Sequence, residues 1–306
     1  MVCGKPRLVG KNPRPPVSRI LILGGKGRLG AALARQWTTS HSVHTLVRPE
    51  LDVADLPALE RILATADYDV LVNATGLTHV DRCETDRQEA EIVNTRAPEV
   101  MARAATARRA RFLHVSTDYV FDGLKPTPYT ETDPARPLSH YGHTKLTGEH
   151  AVLATSDHHL VVRVSWVFGP DKPSFVDMIL ARALTQARVE AIADKTSCPT
   201  CADDVADWLE PFLDSDLPGG LYHACNTGSC TWQAYGQHAL DCARAAGQPL
   251  RTTTVEPIRL ADMKAFAAPR PPHTVLSTKK LTTVTGLTPR LWQDALAEYL
   301  QQKFQS

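Results

Sequence analysis

Residues 19–37 read "RILILGGKGRLGAALARQW": a short apolar run, three spaced glycines, then a run with helical period. "RILILGG" (19–25) predicts a buried strand that ends in glycine, and "RLGAALARQW" (28–37) the helix that follows it. Between them Gly24, Gly27 and Gly30 keep a G-x-x-G-x-x-G spacing. Glycine permits the tight turn and lets the backbone approach a pyrophosphate. The helix N-terminus adds N–H donors and the positive end of its dipole. In a strand–turn–helix context the triplet points to a dinucleotide site rather than a bare turn. Gly24, Gly27, Arg28, Leu29 and Gly30 are therefore candidate cofactor contacts.

The same rhythm continues outward. Strands are expected at "VHTLV" (43–47), "DVLVNAT" (69–75), "RFLHVST" (111–117) and "HLVVRVSWV" (159–167). Helices are expected at "LPALERILATA" (56–66) and "APEVMARAATARRA" (97–110), the latter with Pro98 in its first turn. The strands are continuous apolar runs, as strands covered on both faces should be. Strand–helix alternation implies an α/β fold with a doubly wound, Rossmann-like parallel sheet. After residue 167 the rhythm loosens into short helices and proline-containing loops, read as a smaller substrate-binding lobe over the carboxyl ends of the strands. The expected division is a flexible, basic, proline-rich extension over 1–17, and a dinucleotide-binding domain over 18–167 with a return near 201–225. The substrate lobe would take 168–200 and 226–306.

Composition limits the function classes. The chain has 306 residues, 43% hydrophobic and 22% charged, with a formal net charge of +1. No global field favours nucleic acid or an anionic membrane. No apolar run approaches a membrane span, and the start has no apolar signal-peptide core, so a reduced, cytoplasmic setting is expected. The "CPTC" of Cys198 and Cys201 has no second pair at zinc spacing, because Cys225 and Cys230 are spaced wrongly, and reads as two incidental loop cysteines. The His158–His159 pair reads as a turn.

The second strand should end at the adenosine ribose, where NAD-selective sites usually carry an acid. Here it ends "TLVRPELD". Arg48, the first residue outside it, and Arg28 could each pair with a 2′-phosphate, which favours NADPH, with NADH as the alternative. Asp52 and Val53 are placed at the adenine edge, and Asn73, Ala74 and Thr75 at the end of the third strand join the cofactor set.

"SHYGHTKLTGEH" (139–150) puts Tyr141 four positions before Lys145, on one helix face. With "STDYVFDG" (116–123), "NATGLTHVDRCE" (73–84), "VVRVSWVFG" (161–169) and "RPPHTVLSTKKL" (from Arg270), the chain resembles an extended short-chain dehydrogenase/reductase, and more narrowly the dTDP-4-dehydrorhamnose reductase family. The resemblance runs from about residue 18 to about residue 302. It implies Thr117, Tyr141 and Lys145 as the catalytic triad, with Asp118 beside it near the sugar.

Physical chemistry agrees with that assignment. A phenol has a pKa of about 10, and a neighbouring ammonium favours phenolate and makes Tyr141 a usable proton donor to a ketone oxygen. Thr117 would hold the carbonyl, and Lys145 the nicotinamide ribose. Trp166, Thr78 and Val80 are expected to line the sugar pocket, and Lys195 and Arg270 to meet a diphosphate. The expected reaction is NADPH-dependent reduction of a nucleotide-activated 4-keto-6-deoxy sugar, with a homodimer as the candidate assembly. The alternatives are a non-catalytic NADP-binding partner like the regulatory β subunit of methionine adenosyltransferase, or another nucleotide-sugar enzyme such as an epimerase.

The sequence departs from the family pattern in three places. "NATGLT" lacks the usual tyrosine, Ser197–Cys198 replaces a glycine, and Ala32 stands where some members carry a metal-binding acid. No metal site is expected.

Overall fold

The computed structural model describes residues 17–213 and 217–305, so the expected extension over 1–17 lies almost wholly outside the described residues. The first half runs β1 (Arg19–Leu23), α1 (Arg28–Trp37), β2 (Ser42–Leu46), α2 (Leu56–Thr65) and β3 (Val70–Asn73). It continues with α3 (Val80–Thr85), α4 (Arg87–Glu91), a π-helical turn (Ile92–Arg96), α5 (Ala97–Ala107), β4 (Arg111–Thr117), α6 (His140–Leu153) and β5 (Leu160–Val164). The second half carries β6 (Val167–Phe168), α7 (Phe175–Thr185), β7 (Val189–Ile192), β8 (Thr196–Ser197), β9 (Thr200–Cys201) and α8 (Ala202–Leu209). It ends with β10 (Gly220–His223), β11 (Cys230–Thr231), α9 (Trp232–Ala245), β12 (Val255–Ile258), α10 (Lys279–Thr285) and α11 (Trp292–Gln305).

Six parallel strands form the main sheet in the order β2-β1-β3-β4-β5-β10. β1 shows why its sequence is a continuous apolar run. Ile20 and Ile22 face α1 and α8, whereas Leu21 and Leu23 face α2 and α5. Both faces of the sheet are covered, so both registers must be apolar. Trp37 fixes α1 to α8 through an indole N–H that donates to the Ala206 carbonyl at 3.1 Å. Tyr222 of β10 and Leu281 of α10 join the same core, so the chain returns to the sheet twice after residue 200.

Chain order reverses about β1, with β2 on one side and β3 on the other. Ligands in open α/β sheets enter the crevice at such a switch point, outside the carboxyl ends of the strands. The register aligns those ends, with Leu23 opposite both Leu46 and Asn73, and Thr117 opposite Val164.

The last expected strand, 159–167, is split in two. β5 stops at Val164, and Trp166 takes a left-handed φ of 39° that turns the chain out of the sheet. Val167 and Phe168 then pair with Thr200 and Cys201 in the smaller lobe. That lobe packs α7, α9 and α11 around Phe168, Tyr235, Trp292 and Leu296. Parallel β7 and β12 lie beside them.

Candidate active site

The glycine turn closes on itself. Gly24 takes φ +91°, and its N–H donates to the Leu46 carbonyl at 2.9 Å. A Cβ on Gly30 would lie 2.3 Å from the Gly24 oxygen, so α1 can start this close only without a side chain there. Among the described residues no side chain caps α1 and no acid occupies its first turn. The first-turn amides and the dipole are left for an anion.

From this turn a cleft of about 720 Å³ opens. Its walls include Gly24, Gly27, Leu29, Ala74 and Thr75 at one end, and Thr117, Asp118, Tyr141, Lys145 and Trp166 at the other. Arg48 and Val53 line it beyond β2, and Thr78 and Val80 beyond β3. Arg48 is exposed and pairs with Asp52 at 3.0 Å. Arg28 also lines the cleft, and its guanidinium donates to the Lys172 carbonyl at 3.1 Å and to that of Pro173. Lys26 also lines the cleft, a cation that the sequence reading passed over.

The catalytic candidates arrive from β4 and α6. Thr117 ends β4, where its hydroxyl accepts from the Tyr119 N–H and donates to Asp118 Oδ1, both at 3.2 Å. Ser139 caps α6 by accepting from the Gly142 N–H at 3.2 Å, which puts Tyr141 in the first turn. Tyr141 is buried, edge-on to Tyr119 at 5.8 Å between ring centres. Burial pushes its phenol above the ordinary value, and a hydrogen bond with Thr117 pulls the other way. This differs from the expectation that a cation would dominate. Lys145 donates to the Val115 carbonyl at 2.6 Å and meets His114 Nε2 at 3.3 Å. Burial pushes Lys145 down to about 8 against the opposing charge of Glu149.

Asp118 is gripped by hydroxyls. Its Oδ2 accepts from Ser165 at 3.0 Å, Ser197 at 2.9 Å and Thr274 at 2.5 Å. Ser197, one of the departures from the family pattern, thus has a definite partner. Trp166 presents an indole N–H that is buried and unpartnered among the described residues.

Lys195 and Arg270 are employed away from the cleft walls. Lys195 is fully buried, donates to the Pro271 carbonyl at 2.6 Å, and lies 4.9 Å from the centre of the Tyr119 ring. Arg270 forms a two-pronged pair with Asp81 of α3 at 2.8 and 2.6 Å. Asn73 is buried beneath the cleft floor, with its side-chain oxygen accepting from the Thr75 N–H.

Three residues central to this arrangement escaped the sequence reading. Asn94, in the π-helical turn, holds the loop after β3 by bonding both the N–H and the carbonyl of Leu77, and reaches Thr144 of α6. His114 stands as a polar residue within the apolar run "RFLHVST", a signal that could have marked it. Thr274 comes from a loop without periodicity and gives no such signal.

The family model described as "RmlD substrate binding domain" matches residues 18–304. A dTDP-4-dehydrorhamnose reductase of Burkholderia thailandensis is 34% identical over 290 residues, covering 91% of this chain and 96% of that one. The crystal structure of a dTDP-4-dehydrorhamnose reductase from Clostridium acetobutylicum superposes with a TM-score of 0.86 at 29% identity, covering 93% of this chain and 99% of that one. The same enzyme from Bacillus anthracis, solved in complex with NADP, shares the fold at a TM-score of 0.87 and 24% identity, covering 94% and 99%.

Proposed function

The chain belongs to the dTDP-4-dehydrorhamnose reductase family, and on that premise we propose that it is an NADPH-dependent reductase of a nucleotide-activated 4-keto-6-deoxy sugar, giving dTDP-L-rhamnose or a related product. The observation that carries the reading is the meeting of Thr117, Tyr141 and Lys145 at one end of a cleft whose other end is the glycine turn.

The residues present fit a dinucleotide. Gly24 and Gly30 keep the turn free of side chains, and the uncapped start of α1 is open to a pyrophosphate. Arg48, exposed at the rim, is the group for a 2′-phosphate. Val53 borders the adenine end. A bound reduced nicotinamide supplies the hydride.

The remaining work falls to the chain's own side chains. Tyr141, kept as a phenol by burial, gives its proton to the ketone oxygen as negative charge develops there. The Thr117 hydroxyl, turning its one proton from Asp118 Oδ1 to the ketone, orients that oxygen, and Asp118, held by the hydroxyls of Ser165, Ser197 and Thr274, fixes the end of β4 that carries Thr117. Lys145 holds the cofactor ribose. The Trp166 indole N–H has a free hydrogen for a sugar oxygen. The lobe of 168–200 and 226–306, apart from α10, whose Leu281 packs into the sheet core, is the substrate side.

The test is product analysis. Incubation with dTDP-4-keto-6-deoxy-L-mannose and NADPH should consume one NADPH per sugar reduced and convert the C4 ketone to an alcohol. A sugar altered in stereochemistry with no net NADPH loss would contradict the reductase reading.

A further inference from the structure

Arg28 and Arg35 stand about two turns apart on one face of α1, and both hold the loop between β6 and α7. Arg28 donates to the Lys172 carbonyl at 3.1 Å and to that of Pro173. Arg35 pairs with Asp171 at 3.2 Å. The loop is also fixed at both ends. Phe168 pairs with Cys201 of β9, and the N–H and hydroxyl of Ser174 each donate to the Asp177 carboxylate at 2.7 Å. The backbone of Lys172 is therefore set beside the first turn of α1, and its side chain lines the cleft together with Gly24 and Gly27.

The charges of the cleft single this lysine out. Its lining cations are Lys26, Arg28, Arg48, Arg82, Lys145 and Lys172. Arg48 pairs with Asp52, and Arg82 with Asp86 and Glu89. Arg28 bonds the loop carbonyls, and Lys145 the Val115 carbonyl. Lys26 and Lys172 have no partner among the described residues. Lys26 belongs to the turn where it presses on β2, because a Cβ on the adjacent Gly25 would lie 2.6 Å from Thr45. That is the side of the adenosine ribose. Lys172 follows β5 and β6, and β1, β3 and β4 separate β5 from β2. It reaches the turn from the opposite side, where α1 begins. A dinucleotide carries a negative charge on each phosphate of its pyrophosphate, and a helix dipole offsets roughly half an elementary charge. The first turn of α1 alone leaves most of that charge unmatched.

We propose that Lys172 is a cofactor-binding residue supplied by the smaller lobe: its ammonium pairs with the pyrophosphate of the dinucleotide, and Arg28 and Arg35 are the positioning residues that set it there. The lobe thereby closes the phosphate end of a site otherwise built by the sheet half. The inference rests on the reductase reading only for its choice of a nicotinamide dinucleotide as the ligand.

The test is cofactor binding to the full chain, read by fluorescence, for wild type, Lys172→Met and Lys172→Arg. NADPH and NADH share the pyrophosphate, so Lys172→Met should weaken both by the same factor, about tenfold, and Lys172→Arg should restore most of the loss. Adenosine 2′-monophosphate has no pyrophosphate and should bind the variant as it binds wild type. Lys172 is exposed, so thermal unfolding without cofactor should not change. In the Arg28→Met background, where the loop is no longer held, Lys172→Met should cost distinctly less. Unchanged affinity for both dinucleotides overturns the proposal. A loss confined to NADPH also overturns it, because it places the ammonium on the 2′-phosphate. A cost undiminished in the Arg28→Met background contradicts the positioning role of Arg28. A wild type that binds neither dinucleotide overturns the proposal together with the cofactor reading. A failure of the reductase reading alone would appear as absent sugar reduction with dinucleotide binding and its dependence on Lys172 intact.

Discussion

Thr117 and Asp118 are adjacent in sequence but have separate tasks. Thr117 turns a hydroxyl to the cleft, whereas Asp118 ties the end of β4 to the lobe through Ser165, Ser197 and Thr274. Thr117→Val keeps the volume and removes the hydroxyl. It should lower kcat by about 10²-fold while leaving NADPH affinity near wild type, checked by steady-state kinetics and cofactor titration. Asp118→Ala removes the acceptor shared by four buried hydroxyls, those of Thr117, Ser165, Ser197 and Thr274, and should destabilise the protein by about 2–3 kcal/mol in urea unfolding. At this scale the sequence spoke unevenly. Tyr141 and Lys145 stood out because i,i+4 spacing is a property of one helix. The grip on Asp118 joins Ser165, Ser197 and Thr274, three segments brought together only by the tertiary fold, and nothing local reveals that Pro271 and Asp81 engage Lys195 and Arg270.

At the scale of elements, the alternation of strands and helices was visible because each strand is buried on both faces and each helix on one. α1 and β4 occupy the residues their periodicity predicts. β5 ends early because Trp166 adopts a backbone conformation that no periodicity encodes. The π-helical turn at Ile92–Arg96 was likewise invisible, since its role is to place Asn94 against Leu77 and Thr144. The contact between the glycine turn and α1 yields a prediction. Gly30→Ala sets a methyl 2.3 Å from the Gly24 oxygen, so turn and helix must separate. The expected cost is about 1–3 kcal/mol of stability, with weakened NADPH binding, read by urea unfolding and by cofactor fluorescence.

Across the whole molecule, the Asp81–Arg270 pair links α3 of the sheet half to the loop that leads into Thr274. Arg270 holds the Asp81 carboxyl down to about 2, with help from the Ala268 N–H. A depressed carboxyl contributes stability that is present above its ordinary pKa of 3.8 and is lost as pH falls towards about 2. Arg270→Ala should therefore cost about 2 kcal/mol at pH 7, and the gap from wild type should close as the pH drops through that window, measured by thermal unfolding. No helix among the described residues is long and apolar enough to cross a membrane. The sheet and its covered faces were readable from periodicity, but this cross-link was not, because its partners are 189 residues apart.

The most direct test of the central claim is the loss of NADPH absorbance with dTDP-4-keto-6-deoxy-L-mannose, for wild type and Tyr141→Phe, with NADPH binding measured for both. The account predicts turnover in the wild type, at least about 10²-fold less in the variant, and binding retained in both. A wild type that binds NADPH but does not oxidise it, or a variant that turns over at the wild-type rate, would contradict it.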